Sequence, residues 1–272
     1  MKINVLKFQL TQLQGYLMKA RTLFILLITM LVLAGCTKGP SPNLCPTVCD
    51  GLVAYYPFYG DATDKSGNGQ DGKVIGATLT KDRNGYQNHA YKFESGRFVQ
   101  IPYPSGLTDH SFTFSVIVKI NEPPTVSSGF KSVPILAATH QHYSINYHFY
   151  PGGSRIWATL KVPRGEATSN EQYDLTQTHS IVKDPQQYHH FAAVADQFNK
   201  TLKMYVNGEE KHTNTWHGNL ASGTGAKQFT IGKQWMASMN GIIDEVRLYN
   251  RALAADEVKE LYLFTSAFPP VE

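Results

Sequence analysis

The chain has 272 residues, of which 42% are hydrophobic and 17% charged, so it is long enough for one or two globular domains and too hydrophobic for a disordered protein. Residues 1–36 carry four of the 25 basic residues and none of the 21 acidic ones, which leaves equal numbers of both in the rest of the chain. That balance excludes the basic surface that nucleic-acid binding requires, and we expect no nucleic-acid partner.

The first 36 residues have the pattern of an export signal. Lys19 and Arg21 precede an apolar stretch of about 12 residues from Thr22 to Leu33. This stretch is too short to cross a membrane comfortably, since a spanning helix takes about 20 residues. Met18 is an alternative start, because the residues after it alone make a conventional leader.

The apolar stretch ends in the sequence LAGC, which resembles a bacterial lipobox. The resemblance implies that Cys36 becomes the new N-terminus and carries a lipid that includes palmitate. Thr37 follows in place of an aspartate, which by resemblance to bacterial sorting implies the outer membrane of the cell envelope. Several acyl chains anchor a protein to a membrane stably. The alternative is a plain secretory signal or an N-terminal membrane helix with a chance cysteine.

Residues 37–50 are predicted to be a flexible tether, because they contain three prolines and no periodic apolar pattern. Two further cysteines, Cys45 and Cys49, lie in this segment. In an exported protein they are expected to form a disulfide that closes a small loop. A pair of free thiols is the alternative.

Residues 51–265 show no comparable break and are predicted to be one domain, followed by a tail at 266–272. Alternating apolar and polar residues predict strands, most clearly at Ser111–Ile120 and at Thr201–Val206. The second ends at Asn207-Gly208, a pair typical of a β-hairpin turn. Leu52–Tyr56 and Ile242–Tyr249 are predicted as further strands.

One short helix is expected at Ala254–Leu263, near the C-terminus, with Val258 and Leu261 on one face. Many short strands separated by Gly, Asn and Asp turns predict an all-β protein. The expected fold is a two-sheet antiparallel β-sandwich of the jelly-roll type.

Three segments, taken together and in order, resemble the LamG-like jelly-roll domain of the concanavalin A-like lectin and glucanase superfamily. They are Gly51–Phe58 running into Gly60–Gly69, then Tyr188–Val194 with Leu202–Gly208, and finally Gly241–Leu253. The resemblance implies a β-sandwich across residues 51–265. It also implies a binding role at the cell envelope, with a glycan or a cell-surface protein as the partner.

A calcium site is the second implication of the resemblance. Asp61, Asp64, Asn68 and Asp71 crowd one glycine-rich turn. The family often holds calcium, which takes six to eight oxygen ligands, and position assigns this role to Asp64 and Asp244, with Asn68 as a further ligand. The alternative is that Asp64 and Asn68 only form Asx-turns and that Asp244 caps backbone amides.

Two tryptophans, Trp216 and Trp235, lie in polar or glycine-rich surroundings and are candidates for a sugar-stacking platform. Core packing is the alternative for both, and it is the favoured interpretation for Trp157 between Ile156 and Leu160. The chain lacks the Glu-x-Asp-x-x-Glu run of retaining glycosidases on this fold and the Gly-x-Ser-x-Gly elbow. We therefore expect no enzyme. An enzyme or accessory module acting on polysaccharide, and a structural or adhesive envelope protein, are the alternatives.

Overall fold

The computed structural model describes residues 47–104, 107, 111–138, 143–163, 173–220 and 228–264. The chain divides into two units, Met1–Pro40 and Ser41–Glu272, and only the second contains described residues. Cys36 and Cys45 lie outside them, and so do the predicted leader, most of the tether and the tail.

The described residues form β-strands and one α-helix. In chain order they are β1 (Leu52–Tyr56), β2 (Lys73–Ile75), β3 (Thr78–Thr80), β4 (Ala90–Phe93), β5 (Phe98–Pro102), β6 (Phe112–Ile120), β7 (Lys131–Ala138), β8 (Tyr143–Tyr150), β9 (Gly153–Pro163), β10 (Tyr173–Val182), β11 (His189–Asp196), β12 (Thr201–Val206), β13 (Glu209–Thr215), β14 (Gln228–Ile231), β15 (Lys233–Gln234), β16 (Ala237–Ser238), β17 (Gly241–Tyr249) and α1 (Ala255–Phe264). The helix in this part of the chain is not long and apolar enough to cross a membrane.

Two antiparallel sheets form the sandwich, as predicted. Sheet A has the strand order β13-β12-β11-β6-β17-β4-β3, and β1 also pairs with β17. Sheet B has the order β10-β9-β8-β7-β14-β5-β2, of which the first four are consecutive hairpins. A third, two-stranded sheet is the small hairpin β15–β16.

The predicted strands and helix are confirmed to within a few residues at their ends. Asn207 and Gly208 both have positive φ, at 54° and 78°, as a two-residue hairpin turn between β12 and β13 requires. The described end of the predicted tether packs against the domain, because Thr47 is buried and its hydroxyl donates a hydrogen bond to Glu260.

The core lies between the inner faces of the two sheets and is rich in aromatic side chains. Phe114 of β6 meets Phe229 of β14 edge to face, with ring centroids 5.3 Å apart. Tyr147 of β8 meets Phe191 of β11 in the same way at 5.4 Å. Such pairs contribute about 0.5–1.5 kcal/mol beyond their area burial, and here they connect sheet A to sheet B.

The outer face of sheet A is covered by α1. Val258 and Leu261, the predicted apolar face of the helix, are buried against Tyr55, Tyr205 and other residues of this sheet. His190 lies on the same face, where its Nε2 is 2.9 Å from the Ser115 hydroxyl. Its imidazole is fully buried, and burial followed by the positive charges of Arg247 and Arg83 lowers its pKa to about 3.

This buried histidine predicts a loss of stability in acid. The unfolded chain protonates His190 below its ordinary pKa of about 6.5, whereas the folded protein does so only near 3. The free energy of unfolding therefore falls as the pH drops through this window, by up to about 1.4 kcal/mol per pH unit for this group.

We expect His190→Gln to flatten the dependence of the free energy of unfolding on pH between 6 and 4, measured by urea denaturation. The exposed His217 gives a matched control, and His217→Gln is expected to keep the wild-type slope. An unchanged slope in a folded His190→Gln variant contradicts the assignment.

Candidate functional site

The outer face of sheet B carries a groove with a volume of about 530 Å³, here named the main groove. Its floor consists of side chains that alternate with core residues along β7 to β10, because successive residues of a strand point to opposite faces. Along β8, Asn146 and His148 line the groove, while Ile145 and Tyr147 are buried in the core. The floor residues are Ser132, Ser144, Asn146, His148, Thr159 and Gln177.

The hairpin β15–β16 forms one wall of the groove and is fixed at its base. The Gly232 amide donates to the carbonyl of Ile135 at 2.8 Å, and the Met239 amide donates to the Gly232 carbonyl at 3.0 Å. The Gly96 amide donates to the Ser238 hydroxyl at 3.1 Å from the other side. These bonds hold the hairpin to its neighbours, so its turn is presented in a defined position.

Trp235 occupies the turn of this hairpin, and its side chain is 73% exposed. Its φ of 54° lies in the left-handed region, which a bulky side chain rarely adopts. That conformation costs about 1–2 kcal/mol relative to an unstrained backbone. The protein thus keeps a large apolar ring in water on a strained turn beside a groove, which is a pattern typical of binding sites.

A ladder of stacked rings runs across the outer face, from Phe130 through His148 and Trp157 to His179. The centroid distances are 4.7, 5.3 and 4.4 Å in that order, and the interplanar angles are all below 30°. Phe130 and His148 are the two rings of the ladder that line the main groove, and stacking holds them in place before any ligand binds.

Asn146 provides a hydrogen-bond acceptor without a partner. Its side chain is 5% exposed and lines the main groove, and its Nδ2 donates to the Ser144 hydroxyl at 2.8 Å. Its Oδ1 accepts no hydrogen bond from any described residue. This oxygen is buried beneath the groove surface, so the groups that a ligand can contact are the other lining rings, hydroxyls and amides.

The described lining of the main groove carries no Asp, Glu, Lys or Arg side chain. Burial lowers the pKa of His148 to about 4, so this imidazole is neutral near pH 7. The groove therefore combines apolar rings with neutral hydrogen-bonding groups, as many small-molecule sites do.

A second groove of about 240 Å³, here named the side groove, lies on the other side of the hairpin. Gln234 and Trp235 line both grooves. The remaining lining includes Gln100, Thr230 and Lys233, and the Lys233 ammonium lies 4.7 Å from the centre of the Phe98 ring.

The structure places the two candidate tryptophans in different environments. Trp235 is in the groove wall, as described above. For Trp216 the sequence prediction is corrected, because its side chain is 3% exposed and packs in the core with Leu220. The favoured interpretation of Trp157 as a core residue is also wrong. Its neighbours Ile156 and Ala158 face the core, so alternation turns Trp157 to the outer face.

Asp64 and Asn68 belong to one hydrogen-bonded loop. The buried Asp64 carboxylate accepts from the amides of Tyr55, Ser66 and Gln70 at 2.9–3.0 Å and from the Ser66 hydroxyl at 2.8 Å. The Asn68 amide donates to the carbonyls of Leu52 and Val53 of β1. These contacts are those of the Asx-turn alternative, and they attach the loop to the first strand.

Asp244 lies in a different set of contacts, at a β-bulge. The partner of β17 changes there from β4 to β1, and Glu245 has a φ of 52°. The buried Glu245 carboxylate pairs with Arg247 at 2.7 Å and accepts from the Tyr55 hydroxyl at 3.1 Å. Burial, and then repulsion by Glu245, raises the pKa of Asp244 well above its ordinary value.

The described residues contain no group of three His, Cys, Asp or Glu side chains that could hold a metal ion. Asp64 already accepts four hydrogen bonds, and Asp244 contacts other groups. Calcium binding by Asp64, Asn68 and Asp244 therefore stays a prediction. The predicted disulfide also stays a prediction, because Cys45 lies outside the described residues.

The neutral floor residues of the main groove, Asn146, His148 and Gln177 among them, were not identified from the sequence. The signal was present, because the alternation along β8 and β9 assigns alternate residues to the outer face. The sequence pattern does not show that the β15–β16 hairpin, which lies far along the chain, is placed over that face.

A family model described as the concanavalin A-like lectin/glucanases superfamily, Laminin_G_3, matches residues 93–259. The chain belongs to this superfamily. The match covers β5 to β17 and all the described residues that line the two grooves. No curated protein matches the chain.

Solved structures show the same superfamily fold. Domain 4 of AbnA, an extracellular GH43 arabinanase from Geobacillus stearothermophilus solved in complex with arabinotriose, is 24% identical with a TM-score of 0.54, covering 78% of this chain and 98% of that one. The binding domain of botulinum neurotoxin serotype G has a TM-score of 0.62 at 13% identity, with 79% of this chain covered. The binding domain of botulinum neurotoxin DC, solved in complex with SialylT, has a TM-score of 0.58 at 15% identity, with 80% of this chain covered.

The chain spans about half the length of these toxin binding domains, at 51% and 52%. At these identities the likeness shows the fold and not the ligand.

Removal of the Asp64 carboxylate is expected to destabilise the protein strongly. Asp64→Ala leaves the amides of Tyr55, Ser66 and Gln70 without their acceptor, and each such loss costs about 1–3 kcal/mol. We expect the free energy of unfolding, measured in urea, to fall by roughly 3 kcal/mol or more.

Repeating the measurement with a chelator tests the metal. If calcium binds at this loop, EDTA lowers the melting temperature of the wild type and not that of Asp64→Ala. An EDTA-insensitive wild type with no metal found by elemental analysis contradicts the calcium prediction, and a loss below about 1 kcal/mol for Asp64→Ala contradicts the role of the hydrogen bonds.

Proposed function

We propose that this chain is a non-catalytic binding protein whose main groove binds carbohydrate, with Trp235 as the central contact. The observation that carries the proposal is the exposed Trp235 ring, held on a strained turn beside a groove lined by rings and neutral polar side chains. An apolar ring face suits the C–H surfaces of a sugar, and amides and hydroxyls suit its hydroxyl groups.

The chemistry of the groove supports binding over catalysis. Canonical glycosidases use a pair of carboxyl groups on either side of the bond that is cleaved. None of the described residues that line either groove is an Asp or a Glu. The complexes of two similar folds, with arabinotriose and with SialylT, also support a glycan as the ligand.

A protein ligand at the cell surface is the second candidate for the same face. Phe130 and Met236 are exposed beside Trp235, and an exposed apolar patch with a polar surround is also what a protein interface presents. The hydroxyl and amide side chains of the concave main groove favour the carbohydrate.

Replacing Trp235 by glycine tests the proposal with the fold intact. Glycine adopts a φ of 54° without strain, so Trp235→Gly removes the indole while the turn keeps its conformation. We expect an affinity loss of at least about tenfold for the glycan that binds best on a polysaccharide array, measured by calorimetry, since buried tryptophan contacts are commonly worth more than about 1–2 kcal/mol.

Phe198→Ala is the matched control, because Phe198 is 91% exposed and lies in the turn after β11, outside both grooves. It is expected to keep wild-type affinity. Binding that survives Trp235→Gly contradicts the proposal, and so does release of reducing sugar from the bound polysaccharide, which identifies an enzyme.

We also propose that Cys36 carries the lipid that anchors the protein to the cell envelope, at the outer membrane. The support is the LAGC sequence after the short apolar stretch. In bacteria fed labelled palmitate, the full-length chain is expected to incorporate label and fractionate with membranes. Cys36→Ser is expected to lose both, and a labelled Cys36→Ser variant contradicts the anchor.

A further inference from the structure

The two grooves lie on opposite sides of the β15–β16 hairpin and share two lining residues. Both lie on the outer face of sheet B, and Gln234 and Trp235 belong to both. A ligand that passes over the exposed Trp235 ring at the turn of the hairpin finds about 530 Å³ on one side and about 240 Å³ on the other. Together they fall within the 300–1,000 Å³ typical of ligand sites.

From this arrangement we propose that the two grooves form one cleft for an uncharged polysaccharide, bound along its length with Trp235 at the centre. This inference rests on the carbohydrate-binding role proposed above. It adds the chemical class of the glycan and the requirement for a chain that extends past Trp235 on both sides.

The polarity of the lining supports an uncharged glycan. The main groove offers hydroxyl and amide groups, and the side groove adds the amide of Gln100. The one cation among the described lining residues is Lys233, which lies over the Phe98 ring. A uronate or sialate carboxylate placed in the main groove finds no described cation there, so it loses part of its hydration without gaining an ion pair.

The floor of the main groove points to the same class. Asn146 lies there with a neutral side-chain amide. Its neighbour His148 is a neutral imidazole near pH 7, because burial lowers its pKa to about 4, and so it offers no positive charge to an anionic sugar.

Calorimetry with defined oligosaccharides tests the proposal. The probes are arabino-, xylo- and gluco-oligosaccharides of two to eight units, with oligogalacturonates and sialyllactose as anionic probes, each in low and high salt. We expect at least one neutral series to bind, with affinity rising tenfold or more from two units to six and changing less than twofold with salt.

Two variants separate the halves of the cleft. Gln177→Ala, in the main groove, is expected to weaken every chain length at least fivefold. Gln100→Ala, in the side groove, is expected to weaken six-unit chains at least threefold and to leave two-unit chains unchanged. Thermal denaturation of both variants confirms that they fold.

The results distinguish this inference from the proposed function. Anionic chains that bind through Trp235 more tightly than neutral ones, with a strong salt dependence, overturn the uncharged class. An affinity that stops rising at two units, or a Gln100→Ala variant with wild-type affinity for long chains, overturns the single cleft. Both leave carbohydrate binding in place, whereas glycan binding that Trp235→Gly does not weaken overturns the proposed function itself.

Discussion

The alternation of side chains across sheet B is the constraint on which the rest of the molecule depends. In β8 the residues Ile145 and Tyr147 enter the core, and Asn146 and His148 between them enter the main groove. Tyr147 is fixed by its edge-to-face contact with Phe191 of sheet A. Because one backbone serves both faces, the packing that stabilises the sandwich also sets the positions of the groove residues.

The two outer faces of the sandwich are used differently. That of sheet A is covered by α1, whose apolar face completes a second buried cluster with Tyr55 and Tyr205. Over sheet B, the main groove is bordered by the small β15–β16 hairpin. The main groove, lined by neutral amides and rings, is suited to a ligand, while the helix-covered face contributes stability.

The junction of the first and last strands is built around buried charge. At the bulge in β17, Glu245 pairs with the fully buried Arg247, whose guanidinium lies 4.4 Å from the centre of the Tyr55 ring. The neighbouring loop is attached to β1 through Asp64. Removing one partner of such a buried pair is strongly destabilising, so these residues stabilise the junction of the first and last strands.

Strands, helix and fold class were predictable from the sequence because each depends on a local pattern, such as the alternation in β6 or the Asn207-Gly208 turn. The site was less predictable. The apolar neighbours of Trp157 favour the core unless the phase of the strand is known, and the polar context of Trp216 does not show that its indole turns inward. The role of Asn146 depends on Trp235, 89 residues further along the chain, being brought beside it, and local patterns carry no such information.

The central claim is that a glycan stacks on Trp235, and fluorine NMR of protein labelled with 5-fluorotryptophan tests it directly. The three tryptophans give three signals, each assigned by replacing one of them with phenylalanine. On titration with the bound oligosaccharide, the signal of Trp235 is expected to shift most and that of the core residue Trp216 to stay in place. A Trp235 signal that does not move when the glycan is saturating contradicts the account.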